Sequence, residues 1–224
     1  TAYEELPEIV QQYMDEIAKL TGRSYHLFDY YGDPEATDVV VAMGSVSGTA
    51  CEAVDYLNAR GGKCGFLQVH LYRPFSAKHF LCALPESVKR IAVLDRTKEM
   101  GAVGDPLFLD VASVVGASDL EAVVIGGRYG LSSKDTDTAQ LVAVFRNLTS
   151  ENPVNSFTIG IVDDVTHLSL PTPKLEDFEN EGVYECKFWG LGGDGTVGAN
   201  HNTVKILGDC EDMYSQAYFE YDAK

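Results

Sequence analysis

The chain has 224 residues, of which 45% are hydrophobic and 10% aromatic, enough to bury a core of one or two domains. Its net charge of −17 excludes a nucleic-acid backbone or an anionic membrane surface as the expected partner. Five cysteines, with no CxxC pair among them, argue for free thiols rather than a disulfide framework, and no apolar run approaches the roughly 20 residues of a membrane span.

In chain order, Pro7 to Leu20 reads as an amphipathic helix. Ile9, Val10, Tyr13, Ile17 and Leu20 recur at helical spacing, Pro7 suits the first turn and Gly22 the stop. From Asp38 apolar runs of strand length alternate with helical stretches. Val39 to Met43 precedes a helix from Thr49 to Arg60, Cys64 to Val69 precedes Ala77 to Leu84, and Ile91 to Leu94 precedes Pro106 to Val115. Ala122 to Ile125 then precedes Thr138 to Leu148, and Phe157 to Val162 closes the set. Near-continuous apolar strands separated by helices imply a three-layer α/β/α sandwich around a mostly parallel five-stranded sheet. Residues 167–182, with Pro171, Pro173 and Glu176, Asp177, Glu179 and Glu181, read as an acidic linker. A second α/β domain is expected from Val183, with a strand over Val183 to Trp189, a glycine turn, a helix to about Leu207, and a further strand at Tyr218 to Tyr221. A start at Thr1 and only 24 residues after Asn200 suggest a chain cut from a longer one.

The run Trp189-Gly190-Leu191-Gly192-Gly193-Asp194-Gly195-Thr196-Val197-Gly198-Ala199-Asn200 is the most informative. Glycines between a strand and a helix let backbone amides face a phosphate. Gly193 to Gly198 fits G-x-G-x-x-G, with Glu211 or Asp212 near the spacing a ribose ligand would need. Against a dinucleotide, the glycines begin too early and Asp194 puts a negative charge in the loop. Another phosphate-bearing ligand and a merely structural turn remain open. Gly193-Asp194-Gly195 also opens like a thiamine diphosphate signature, but residues 217–224 hold no asparagine to complete it.

Elsewhere, Gly44 to Gly48, Arg73-Pro74-Phe75 and Asp95 to Glu99 sit at strand carboxyl ends, where open α/β sheets place ligands, although loop capping explains them as readily. His70 and His79 lack metal spacing, Asp163-Asp164 reads as a cap, and no nucleophile triad can be assembled. No catalytic and no metal residue is expected.

Several strings resemble the pyruvate:ferredoxin (flavodoxin) oxidoreductases. They are Ala42-Met43-Gly44-Ser45, Arg73-Pro74-Phe75, Leu94 to Glu99, Gly126 to Lys134, Gly160 to Thr166 and, most specifically, Phe188 to Asn200. The same region occurs in pyruvate:NADP+ oxidoreductases. The resemblance implies a parent enzyme that decarboxylates pyruvate on thiamine diphosphate and Mg2+, passes electrons through 4Fe–4S clusters to ferredoxin or flavodoxin, and acetylates coenzyme A. It implies that 1–166 is similar to the carboxyl-terminal domain of transketolase, with 167–182 a linker and 183–224 the start of a gamma-type domain. It also implies a homodimeric parent in the cytoplasm, or in an anaerobic organelle if eukaryotic, whose remaining domains are this chain's partners. None of the thiamine, pyruvate or cluster motifs is present, so the chain alone is expected to be inactive and to hold no cofactor. Combined with the glycine turn, the resemblance points to a partial site for the phosphates of coenzyme A at Gly192, Gly193, Gly195, Thr196, Asn200 and Lys205. Family members often carry Lys where this chain has His201, which moves weight to Lys205. The other readings are a flavin- or dinucleotide-binding electron-transfer module and an interaction domain.

Overall fold

The computed structural model describes residues 2–176, 183–210, 213–217 and 219. The chain divides into two compact units, Thr1–Leu175 and Glu176–Lys224.

The first unit opens with helix α1 (Ala2–Thr21), then strands β1 (Phe28–Gly32) and β2 (Asp38–Ala42), α2 (Ser47–Asn58), β3 (Cys64–Val69), α3 (Ala77–Ala83), β4 (Arg90–Asp95), α4 (Pro106–Gly116), β5 (Val123–Arg128), a 3-10 turn (Leu131–Ser133), α5 (Thr138–Leu148) and β6 (Phe157–Thr158). The sheet order is β1-β3-β2-β4-β5-β6, with β2 through β6 parallel and β1 antiparallel to β3. Strand alternation divides the core. Val40, Ala42, Phe66, Ala92 and Leu94 face α2 and α5, meeting Ala50, Ala53, Val54, Leu141, Val144 and Phe145. Val39, Val41, Leu67, Ile91 and Val93 face the other way, toward Phe80, Leu107, Val111 and Val115 of α3 and α4, with Val10 and Met14 of α1 at the margin. Strand β2 is buried along its length, as a central parallel strand covered on both faces must be. Each fully buried Leu, Val or Phe here contributes about 1.5–3 kcal/mol over leaving it in water.

The expected three-layer sandwich with five parallel strands is present, and the sheet gains a sixth strand. Strand β1, Phe-Asp-Tyr-Tyr-Gly, has neither a long apolar run nor strict alternation, because only Phe28 is buried and the edge leaves Tyr31 and Gly32 exposed. Pro7 lies inside α1 rather than in its first turn, since the helix begins at Ala2. Gly22 does stop it, at φ 72° with its N–H returned to Ala18 O at 2.8 Å. The run expected as a strand from Phe157 to Val162 is a strand only at Phe157–Thr158, because Gly160 turns left-handed at φ 78°. Residues 168–170 run beside it: Thr158 N–H donates to Leu168 O, Leu170 N–H donates to Thr158 O, and Leu170 and Leu175 pack on the core.

In the second unit, Val183 to Trp189 is not a strand. No partner strand is present among the described residues to satisfy its backbone, and Trp189 is 82% exposed. Helix α6 spans Thr196–Gly208, matching the expected helix. The strand expected at 218–221, and Glu211 and Asp212, lie outside the described residues apart from Phe219.

Candidate functional site

Two places follow from the fold, the carboxyl edge of the sheet and the glycine loop that starts α6. At the carboxyl edge, β2 leads through α2 to β3 on one side, and the chain then crosses back to β4 on the other. The loops after β2 and β4 therefore diverge at the point where open sheets leave a crevice. Asp95 ends β4 with a buried carboxylate that accepts the Leu107 and Phe108 N–H groups at 2.9 and 3.0 Å, fastening the start of α4. Burial pushes its pKa up against the opposing pull of those amides. Asp105, the N-cap of α4, accepts the Glu99 N–H at 2.9 Å and lies 2.6 Å from Arg128 Nε at the end of β5. That last contact is an ion pair whose N–H points off the oxygen, so charge rather than hydrogen-bond direction holds it. Arg73 pairs with Asp110 in the same way at 2.8 Å. The Tyr129 hydroxyl donates to Met43 O at 2.9 Å, and Arg96 Nη1 donates to Ser45 Oγ at 3.1 Å, so the β4 and β5 loops both tie to the β2 loop. Gly130, Ser132 and Ser133 lie at φ of 60°, 56° and 56°, a cost for the two serines that the surrounding loop must hold.

These acids and arginines fasten loops. The described residues contain no group of three or more His, Cys, Asp or Glu able to hold a metal. Asp163 binds inward, accepting from the Val165 and Thr166 amides and the Thr166 hydroxyl, which lower its pKa to about 2. His70 contacts Asp29 at 2.9 Å, and Asp29 also takes the Nδ1 side of His26 at 2.6 Å. The sequence marked the strand-end strings but not which of them meet. An arginine at each of two adjacent strand ends was the available signal.

In the glycine loop, Gly192, Gly193 and Gly195 lie at φ of 79°, 66° and 86°, conformations that disfavour any side chain. Asp194 turns inward: one oxygen accepts the Leu191 N–H and the other the Thr196 N–H, each at 3.0 Å. The Thr196 amide leads the interactions that lower the Asp194 pKa to about 2. The Thr196 N–H is thereby occupied, and the amides of Val197 and Gly198 are those in the first turn that no carbonyl of the helix can reach. Gly190 is pressed against Thr196, where a Cβ would come within 2.6 Å of the Thr196 Cβ. Asn200 lies one turn on and is half-buried. Lys205 is not brought to the loop: it occupies the last turn of α6, roughly 13 Å along the axis from Thr196. His201 instead meets the Phe219 ring at 5.0 Å.

The family described as pyruvate:ferredoxin oxidoreductase core domain II matches residues 36–138. A pyruvate-flavodoxin oxidoreductase of Enterobacter agglomerans is 56% identical over 223 residues, 99% of this chain and 19% of that protein. The pyruvate:ferredoxin oxidoreductase of Moorella thermoacetica is 55% identical over 218 residues, 97% of this chain and 19% of its own length. Nearly the whole chain is therefore similar to one stretch of pyruvate:ferredoxin and pyruvate-flavodoxin oxidoreductases. The mitochondrial pyruvate dehydrogenase (NADP+) of Euglena gracilis also matches, 51% identical over 99% of this chain and 12% of that protein. Among solved structures, a 2-oxoglutarate:ferredoxin oxidoreductase from Magnetococcus marinus is similar at TM-score 0.36 and 17% identity, covering 57% of this chain and 20% of that one. The chain thus spans about a fifth of the length of the pyruvate-flavodoxin and pyruvate:ferredoxin relatives. The region matched by the family model runs from just before β2 to the start of α5.

Proposed function

We propose that this chain is a structural portion of an oxidoreductase that converts pyruvate and coenzyme A to acetyl-coenzyme A, CO2 and reduced ferredoxin or flavodoxin. Its α/β/α unit serves as scaffold, and its glycine loop is part of the coenzyme A site. The observation that supports this most is identity above 50%, over nearly the whole chain, to pyruvate oxidoreductases about five times as long. The thiamine diphosphate, Mg2+ and 4Fe–4S clusters of such an enzyme belong to other parts of the parent. Here Cys64 is buried, and Cys51, Cys82, Cys186 and Cys210 share no cluster-binding spacing. The remaining parental domains, a second parental subunit and the electron carrier are the partners in this reading, in the cytoplasm or an anaerobic organelle. No helix among the described residues is long and apolar enough to cross a membrane.

Coenzyme A supplies a thiol to accept the acetyl group; what these residues offer is a grip on its phosphates. The fit is partial. The Val197 and Gly198 amides and the positive end of α6 suit a phosphate, whereas the inward-turned Asp194 leaves its charge nearby and Lys205 is out of reach. The three open φ values at Gly192, Gly193 and Gly195 keep side chains away from the approach. The site is therefore expected to be weak in this chain alone.

Titrating coenzyme A while following backbone amides by NMR tests the site. Saturable shifts at Val197, Gly198 and Asn200 are expected. Shifts confined to residues 38–163, with 192–200 silent, rule the loop out. The scaffold reading is tested separately by supplying pyruvate, coenzyme A, thiamine diphosphate, Mg2+ and an electron acceptor. No acetyl-coenzyme A is expected, and turnover by the purified chain overturns it.

A further inference from the structure

Arg96 stands at the crevice between the β2 and β4 loops, on the first residue after β4. Its environment differs from that of the other arginines at the sheet's ends. Arg73, Arg90 and Arg128 each neutralise a carboxylate, that of Asp110, Asp38 and Asp105 respectively. Arg96 has no carboxylate within 4.0 Å among the described residues, and its one hydrogen bond goes to the neutral Ser45 hydroxyl. In a chain of net charge −17, with 34 acidic residues to choose from, a guanidinium at the switch point has been left with most of its five donors for something else.

The side chain is also held in place. Its stem lies on Gly130, where a Cβ would come within 2.8 Å of Arg96 Nε and 3.3 Å of Cδ, so a side chain at 130 would push the arginine aside. Gly130 takes φ 60°, and its neighbour Tyr129 is tied through its hydroxyl to Met43 O, immediately before Gly44 and Ser45. Three loops, after β2, β4 and β5, thus converge on one exposed guanidinium. The loop it reaches runs into α2, whose N-cap Val46 brings no side-chain acceptor. The α2 start is not by itself a site, but its dipole adds to the field of the arginine.

We propose that Arg96 and Ser45, positioned by Gly130, form a second anion site on this chain, at the sheet's switch point, for the phosphate group of a small ligand. A guanidinium fork offers paired donors to two oxygens of a phosphate, and a hydroxyl beside it donates to a third. The site is independent of the glycine loop. It lies wholly in the first unit, and its success or failure leaves the coenzyme A reading untouched.

Inorganic phosphate is the probe. The 224-residue chain is titrated with sodium phosphate, with sodium chloride at matched ionic strength and with sodium acetate, following the Arg96 side-chain Nε–H and the Ser45 and Gly48 amides by NMR. Phosphate is expected to shift all three saturably, chloride not to, and acetate to bind more weakly. Arg96→Gln is expected to weaken the response at least about tenfold, and Arg96→Lys to retain part of it. Gly130→Ala, which displaces the arginine without removing it, is expected to weaken it as well. Melting of the Arg96→Gln variant near the parent temperature shows that lost binding is not lost folding. A phosphate response equalled by chloride or by acetate, or retained in Arg96→Gln, overturns the proposal.

Discussion

Asp194 shows how one residue can both build a loop and limit its chemistry. Its carboxylate gathers the Leu191 and Thr196 amides, and those bonds hold its pKa at about 2, below the roughly 3.9 of a free Asp. The sign follows from linkage: an acid with a lowered folded pKa stabilises the loop above its unfolded value, and that contribution disappears as pH falls through about 2. The Asp194 side-chain carbon should titrate with a midpoint near 2, the Leu191 and Thr196 amide shifts moving with it. A midpoint near 4 would show that the carboxylate does not hold these amides. The charge that Asp194 places in the loop was legible in the sequence. That it consumes the Thr196 amide was not, because spacing gives no information on which amide a short side chain selects. Lys205 failed to reach the loop for a simpler reason, the helical rise between two residues that look close in the sequence.

At the scale of elements, the carboxyl edge is fastened by buried charge. Asp105 at the start of α4 is 5% exposed at its side chain and Arg128 at the end of β5 is 13% exposed, and Asp105 also accepts the Glu99 amide. Arg128→Met keeps the volume and removes the cation, leaving an uncompensated carboxylate in a dry site. It is expected to cost about 3 kcal/mol, measured by urea unfolding, because breaking a buried pair from one side is far worse than replacing both partners. Arg128→Met/Asp105→Leu should recover much of that loss. A single variant within 1 kcal/mol (about the cost of an ordinary substitution) would mean that water already screens the pair. Elements of this kind were visible in the sequence where burial is two-sided. The apolar runs of β2, β3 and β4 and the periodic α5 were legible because both sheet faces demand them. Strand β1 was not, since an edge strand with one buried residue carries no pattern, and Val183 to Trp189 misled in the opposite sense. Its apolar content is strand-like, but a strand needs a neighbour to take its backbone groups.

For the whole molecule, the two units differ in what their described residues bury. The first has a core on each sheet face, with Val39, Val40, Val41, Ile91, Ala92 and Val93 at 0% exposure. In the second, no residue of α6 is buried, and Leu191 and Tyr214 are fully exposed. A helix of 13 residues lies at the length where isolated helices are marginal in water, so its stability must come largely from packing. Local opening free energy tracks buried apolar contact, and the two units should therefore exchange amide hydrogens on separate scales. The amides of β2 and β4 are expected to exchange last and together, at the global unfolding rate. Those of α6 should exchange on the order of 100-fold faster or more, with no common rate shared with the sheet. Coenzyme A, if held at the start of α6, should slow exchange in α6 alone and leave β2 and β4 unchanged, because a ligand stabilises only the unit that must open to release it. Equal protection of α6 and the central strands without ligand would mean that α6 is held by packing absent from this structure.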